Sequence, residues 1–314
     1  MNRKVTIIGA GNVGSTIAYT LALNDTVNEI LLIDLNSEKA EGEAMDIDQG
    51  TVFCNPVKVT AGDYSDAVGS EIVVITSGVA RKPGQTRLDL AQTNADILKD
   101  IAPKITAYAP DAVYIIVSNP VDVMTYVFCK ISGIPENRVI GTGTILDTAR
   151  LRSYIASHFS VNKDNVHSYV FGEHGDSMFI PWSVARISSI DLVRYSDTYL
   201  KDKEKEPLDF DVVSEYIRTS GARVIERKGS TFYAVAISAA HICKCIFSGT
   251  DTVLAVSTML HGEFGIDDVC LSVLTIIGSD GVKGRLETAI NDQERKQLRK
   301  CAENIKSVIS QLNI

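Results

Sequence analysis

The 314-residue chain is defined first by what is missing from it. No Lys- or Arg-rich run occurs, and 39 acids against 31 bases give a formal charge of −8, so the basic stripe of a nucleic-acid binder is absent. No stretch of about 18 apolar residues offers a membrane span. The opening residues, Met1 to Gly9, pass from two basic side chains straight into a short apolar run. They lack the longer apolar region and cleavage site of a secretory signal. Internal repeats, low-complexity tracts and flexible linkers are missing as well. Cysteine is sparse: Cys54, Cys129, Cys243, Cys245, Cys270 and Cys301 are scattered through apolar segments, which predicts free thiols in a reducing cytoplasm. Cys243 and Cys245 share the apolar run from Ala239 to Phe247. Two positions apart on a helix they point in different directions, so they read as core and no metal site is expected.

What remains is an ordinary globular composition, 45% hydrophobic and 22% charged, long enough for two domains at about 150 residues each. Short β-branched runs at 5–8, 30–33, 72–75 and 113–117 alternate with helical patterns in the first half. Continuous apolar runs of this kind suit strands buried on both faces of a parallel sheet with helical crossovers. The expected fold is therefore α/β: a doubly wound parallel sheet of the Rossmann kind over residues 1–143, then a second, mixed α+β catalytic domain over 144–314. The second half should hold a helix from Ile145 to Ser157, a hairpin around Ser279 to Gly281, and a closing helix. That closing helix is marked by Asn291 and Glu294 in capping-box spacing, with Leu298, Cys301, Ile305, Val308 and Leu312 along one face. The charge run Lys201 to Glu206 reads as solvated.

Gly9-Ala-Gly11-Asn12-Val13-Gly14 follows the first strand and opens a helical pattern. A second strand ends in Asp34, twenty residues after Gly14. Such glycines permit a tight turn and close backbone approach, so a pyrophosphate can rest on helix N–H groups, while Asp34 can accept from ribose hydroxyls. A 2′-phosphate would meet like charge at Asp34, and Leu35-Asn36-Ser37 offers no arginine to hold it. NAD is favoured over NADP. A nucleotide-free or methyl-donor-binding version of the fold is the alternative.

His174 lies in Phe171-Gly-Glu-His-Gly-Asp-Ser177. Asp147 and Arg150, spaced i, i+3, share one face of the expected helix. An aspartate accepting from an imidazole fixes its tautomer and favours its cationic form. A surface ion pair between Asp147 and Arg150 is the competing reading.

With these motifs the chain resembles the L-lactate/malate dehydrogenase family from Val5 to the closing helix. The resemblance rests on Gly9-x-Gly11-x-x-Gly14, Arg81-Lys-Pro-Gly-Gln-Thr-Arg87, Ser118-Asn119-Pro120, Leu146-Asp-Thr-Ala-Arg150 and Gly172-Glu-His-Gly-Asp-Ser177. It implies that His174 donates and accepts the proton with Asp147 as its partner, that Arg150 holds the substrate carboxylate, and that Arg87 polarises the reacting carbonyl. Asn119 would lie beside that oxygen and the nicotinamide, and Thr231 near the substrate. The loop from Arg81 to Gly84 would close after cofactor binds and bring Arg87 in.

Position 81 faces the keto acid's side chain in such enzymes, with Gln in lactate dehydrogenases and Arg in malate dehydrogenases. Arg81 therefore points to oxaloacetate and (S)-malate: an unpaired guanidinium closed over a methyl group would forfeit about 2–5 kcal/mol. The segments around His174, Thr231 and Arg87 look more like the lactate branch, which keeps pyruvate and L-lactate as the alternative. The resemblance also implies a homo-oligomer, tetramer or dimer, and places Arg152 and His167 where allosteric bacterial members bind fructose 1,6-bisphosphate. A non-catalytic NAD sensor is the rival of another class.

Overall fold

Six short strands and the helices between them build the first half, and the residues that form them explain why. The computed structural model describes residues 3–79, 84, 86–200 and 206–314. β1 (Lys4–Ile8), β4 (Ile72–Ile75) and β5 (Val113–Ile116) are buried along their whole length, as β-branched runs covered on both faces should be. β2 (Glu29–Ile33), β3 (Lys58–Ala61) and β6 (Val139–Gly141) complete a parallel array in the order β3-β2-β1-β4-β5-β6. The crossover helices are α1 (Asn12–Leu23), α2 (Ser37–Gly50), α3 (Arg87–Thr106) and α4 (Val121–Ile131). The strand order reverses beside β1 and β4, so a crevice opens at their carboxyl ends.

The second half begins with α5 (Ile145–Phe159), followed by a small antiparallel sheet of β7 (Val166–His167), β8 (Arg186–Ile187) and β9 (Ile190–Asp191). α6 (Leu192–Leu200), α7 (Phe210–Lys228) and α8 (Tyr233–Phe247) come next. β10 (Thr252–His261), β11 (Asp267–Gly278) and β12 (Gly281–Arg285) then form an antiparallel meander that does not stand alone. β10 joins β6 through the pair Ser257 and Gly141, which extends the parallel array into one nine-stranded sheet. α8 packs directly on α1 on one face of that sheet. The halves therefore share a core on each sheet face, with a third, smaller cluster between α5, α7 and the small sheet.

The hairpin turns at Ser279–Asp280, between β11 and β12, as the sequence predicts. Cys243 and Cys245 are buried on α8, and burial pushes the Cys243 thiol up to about 12, a packing residue's behaviour. The charge run from Lys201 to Lys205 lies outside the described residues. α9 (Asp292–Ile309) closes the chain; Leu298, Cys301 and Ile305 are buried, and Leu312 packs just beyond the helix.

Asn291 caps α9 by accepting from Glu294 N at 2.9 Å, while Glu294 accepts from Asn291 N at 2.9 Å. Glu294 also accepts from the backbone N–H and hydroxyl of Ser183, tying α9 to the turn Trp182–Val184. Asn291→Ala should cost about 1 kcal/mol. Glu294→Ala should cost more, about 2 kcal/mol, because it also strands Ser183. Urea-unfolding midpoints for the two variants check this; equal midpoints would contradict it.

Candidate active site

At the end of β1 the chain turns through Gly9, whose φ of +104° suits glycine, and enters α1 at Gly11. A Cβ on Gly14 would stand 1.8 Å from the Gly9 carbonyl oxygen, so only glycine lets the helix lie this close to the strand. Gly11 behaves differently: a Cβ there meets no protein atom within 4 Å. No side chain caps the helix at that end, which leaves the first-turn N–H groups of α1, from Asn12, Val13 and Gly14, to face an anion. Asp34, at the tip of β2, accepts from Ala10 N at 2.7 Å and Asn36 N at 2.9 Å, which fixes its carboxylate beside the turn. This cradle fits a dinucleotide whose pyrophosphate lies over Gly11 and whose ribose reaches Asp34.

Val13 also lines a cleft of about 560 Å³ at the carboxyl ends of the strands. The first half contributes Thr76 and Asn119, and the second contributes Asp147, Arg150, His174 and Thr231. Asn12 reaches across to Ser230 at 3.4 Å, next to Thr231. Asn94 fixes the loops after β4 and β5 together, accepting from Val79 N at 2.9 Å and donating to the Asn119 carbonyl at 2.6 Å.

Asp147 stands in the first turn of α5 and is 1% exposed. Its Oδ2 lies 2.6 Å from His174 Nδ1, and its Oδ1 accepts from Arg150 Nη1 at 2.8 Å. The i, i+3 spacing thus builds a relay of three residues around buried Asp147, with Arg150 and His174 partly exposed. Burial by itself would raise the Asp147 carboxyl, but the His174 and Arg150 charges and hydrogen bonds outweigh it and hold the group below its ordinary value. The Asp147 charge in turn raises His174 above the usual imidazole range, against the opposing effect of its burial. The ring is thereby set to hold a proton near neutral pH.

Arg87, the first residue of α3, takes a position that the sequence did not suggest. Its guanidinium pairs with buried Glu173 and lies 3.8 Å from Asp176, and it is not part of the cleft lining among the described residues. Glu173 also accepts from the Ser177 hydroxyl. Asp122 and Arg218 carried no role in the sequence reading. Asp122 is 1% exposed and accepts from His174 N at 2.7 Å; Arg218 lines the cleft and pairs with Glu215. Asp122 did leave a trace, since it is the one acid in the apolar run from Val121 to Cys129. Arg81, Lys82, Pro83 and Gln85 lie outside the described residues. Arg152, two residues past Arg150, turns away from the cleft and donates to the Lys163 carbonyl at 3.2 Å, and His167 is exposed on β7. Neither lines the cleft.

Residues 3–141 match the family model for the lactate/malate dehydrogenase NAD binding domain, and residues 144–313 match that for the lactate/malate dehydrogenase alpha/beta C-terminal domain. The chain is 44% identical to an L-lactate dehydrogenase of Acetivibrio thermocellus over 312 residues, covering 99% of this chain and 98% of that protein. It is 44% identical over 311 residues to one from Thermoanaerobacter pseudethanolicus, with 99% of each covered. Among solved structures, the minor L-lactate dehydrogenase of Enterococcus mundtii, in a ligand-bound form, superposes with a TM-score of 0.94 at 36% identity, covering 100% of this chain and 99% of that one.

Asp147→Asn removes the charge that raises His174. The imidazole should then titrate lower by about one unit or more, read from its ring NMR signals and assigned with His174→Gln. An unchanged titration would show that Asp147 does not hold the proton in place.

Proposed function

The chain belongs to the lactate/malate dehydrogenase family, and from that premise we propose that it interconverts pyruvate and L-lactate. It is an NAD-dependent 2-hydroxy-acid dehydrogenase, which removes the reading as a non-catalytic sensor. The observation that carries the 2-keto-acid reading is the relay Arg150–Asp147–His174 inside a cleft that opens next to the Gly9–Gly14 turn, and it suits pyruvate and oxaloacetate alike. The choice of pyruvate over oxaloacetate, which reverses the sequence expectation, rests instead on curated relatives at 42–44% identity that are named L-lactate dehydrogenases.

Bound NADH supplies the hydride. His174 supplies the proton: as the carbonyl carbon is reduced, negative charge grows on its oxygen, and an imidazolium held by Asp147 can neutralise it. In the reverse direction the neutral ring accepts the hydroxyl proton. Arg150, oriented by Asp147 through one nitrogen, clamps the substrate carboxylate with its remaining edge, a geometry that a planar guanidinium supplies and an ammonium would not. Arg87, which pairs with Glu173 outside the cleft lining, would polarise the carbonyl only after exchanging Glu173 for the substrate oxygen, and Asn119 and Thr231 orient the substrate. Residues 1–143 hold the cofactor through Gly9, Gly11, Asn12, Val13, Gly14 and Asp34, and residues 144–314 hold the acid.

One residue favours a second reading. Arg81 would pair with the distal carboxylate of oxaloacetate, and over the methyl group of pyruvate its charge would be left without a partner. Self-association into a dimer or tetramer is part of the same reading. Buried free thiols at five of the six cysteines support a reducing compartment, the cytoplasm. Arg152 with His167 would suit the phosphates of fructose 1,6-bisphosphate.

The ratio of kcat/KM for pyruvate and oxaloacetate with NADH tests the main reading. Pyruvate should be preferred in the unmodified enzyme, and Arg81→Gln should raise that preference further. A preference for oxaloacetate that reverses in Arg81→Gln would overturn pyruvate in favour of malate dehydrogenase activity. Fructose 1,6-bisphosphate should lower half-saturation for the keto acid in the same assay, and Arg152→Ala should abolish that response. No response in the unmodified enzyme would rule out the effector role.

A further inference from the structure

Asp122 is a fully buried carboxylate at a junction of three elements, and the reading above gives it no task. It stands in the first turn of α4, three residues after Asn119. Its Oδ2 accepts from the main-chain N–H of His174 at 2.7 Å, and its Oδ1 accepts from the Ser257 hydroxyl at 2.6 Å. Ser257 is 0% exposed and belongs to the pair that joins β10 to β6. One side chain from the cofactor-binding half thus grips both the meander and the loop that carries the proton donor.

Both partners donate. The His174 N–H can only donate, and the Ser257 hydroxyl, which could also accept, donates here, so an ionised Asp122 accepts both bonds, which offsets the expense of burying it. Burial is the largest effect and leaves the Asp122 carboxyl above its ordinary value, although the Ser257 and His174 hydrogen bonds and the nearby His174 and Arg87 charges pull it down. His174 consequently lies between two buried carboxylates that reach it through different atoms, Asp147 at the ring and Asp122 at the main chain. Its other charged neighbours are Arg150 on α5, Arg87 on α3, Glu173 and Asp176 on its own loop, and Arg218 on α7 across the cleft.

We propose that Asp122 is a positioning residue for proton transfer: it fixes the backbone of His174 relative to Asn119 and the cofactor turn, and its negative charge helps keep the imidazole protonated. This rests on His174 being the proton donor. The grip sets where the ring sits, and the charge sets how long it keeps its proton as pH rises.

Asp122→Asn and, as a milder cut, Ser257→Ala test the proposal in the full-length enzyme. In Asp122→Asn the His174 imidazole, followed by NMR, should titrate lower by about half a unit. The high-pH limb of kcat/KM for keto-acid reduction should move down with it. kcat should fall about tenfold, with NADH affinity and melting temperature nearly unchanged. Ser257→Ala should shift both readouts in the same direction by less, and it serves alone if Asp122→Asn does not fold. A folded variant whose titration and pH limb match the unmodified enzyme overturns the proposal. So does a kcat loss that merely tracks lost NADH binding or lost stability. If the unmodified enzyme reduces neither keto acid, the substrate reading fails while the His174 titration still decides this one.

Discussion

The contact between Asp147 and His174 is the interaction on which the rest of the site depends. A carboxylate buried at the start of α5 is costly unless positive charge meets it, and two groups do so: the imidazole on one oxygen and Arg150 on the other. The same pairing that makes Asp147 tolerable orients Arg150 toward the cleft and raises the proton affinity of His174. Substrate orientation and proton supply are therefore not separate inventions. One buried charge sets both, and its position follows from the i, i+3 spacing on a helix whose first turn faces the cleft.

That relay can act on a substrate only if the cofactor turn stands opposite it, and the sheet brings this about. β6 carries the parallel half directly into the antiparallel meander, so the loops after β1, β4 and β5 and the loop bearing His174 are fixed to one continuous framework. Asn94, Asp122 and Glu173 then act as cross-ties: Asn94 joins the loops after β4 and β5, Asp122 joins α4 to β10 and His174, and Glu173 joins α3 to the 171–177 loop. Each is a buried polar group whose partners lie in distant parts of the chain. Such networks are stabilising only when fully satisfied, which makes the site stiff as well as specific.

Much of this was legible in the sequence because local rules govern it. β-branched runs marked β1, β2, β4 and β5, glycine spacing marked the turn into α1, and Asn291 with Glu294 marked the start of α9. The meander's membership in the first half's sheet was not legible, since it depends on a single long-range pairing of Ser257 with Gly141. β7, β8 and β9, of two residues each, are too short to leave a pattern. His174, Asp147 and Arg150 meet as their motifs suggested, whereas the pairing of Arg87 with Glu173 arises from a contact 86 residues apart that no spacing rule encodes. Family likeness separates pyruvate from oxaloacetate less sharply than residue 81 would, and the two point in opposite directions.

The central claim is that one proton held on His174 moves in both directions of the reaction. Its most direct test is the pair of pH profiles of kcat/KM for keto-acid reduction and for 2-hydroxy-acid oxidation. Reduction needs the protonated ring and oxidation the neutral one, so the first should fall and the second rise through a single common pKa above 6.5, the ordinary imidazole value. Two unrelated midpoints, or a common one below 6.5, would contradict the account.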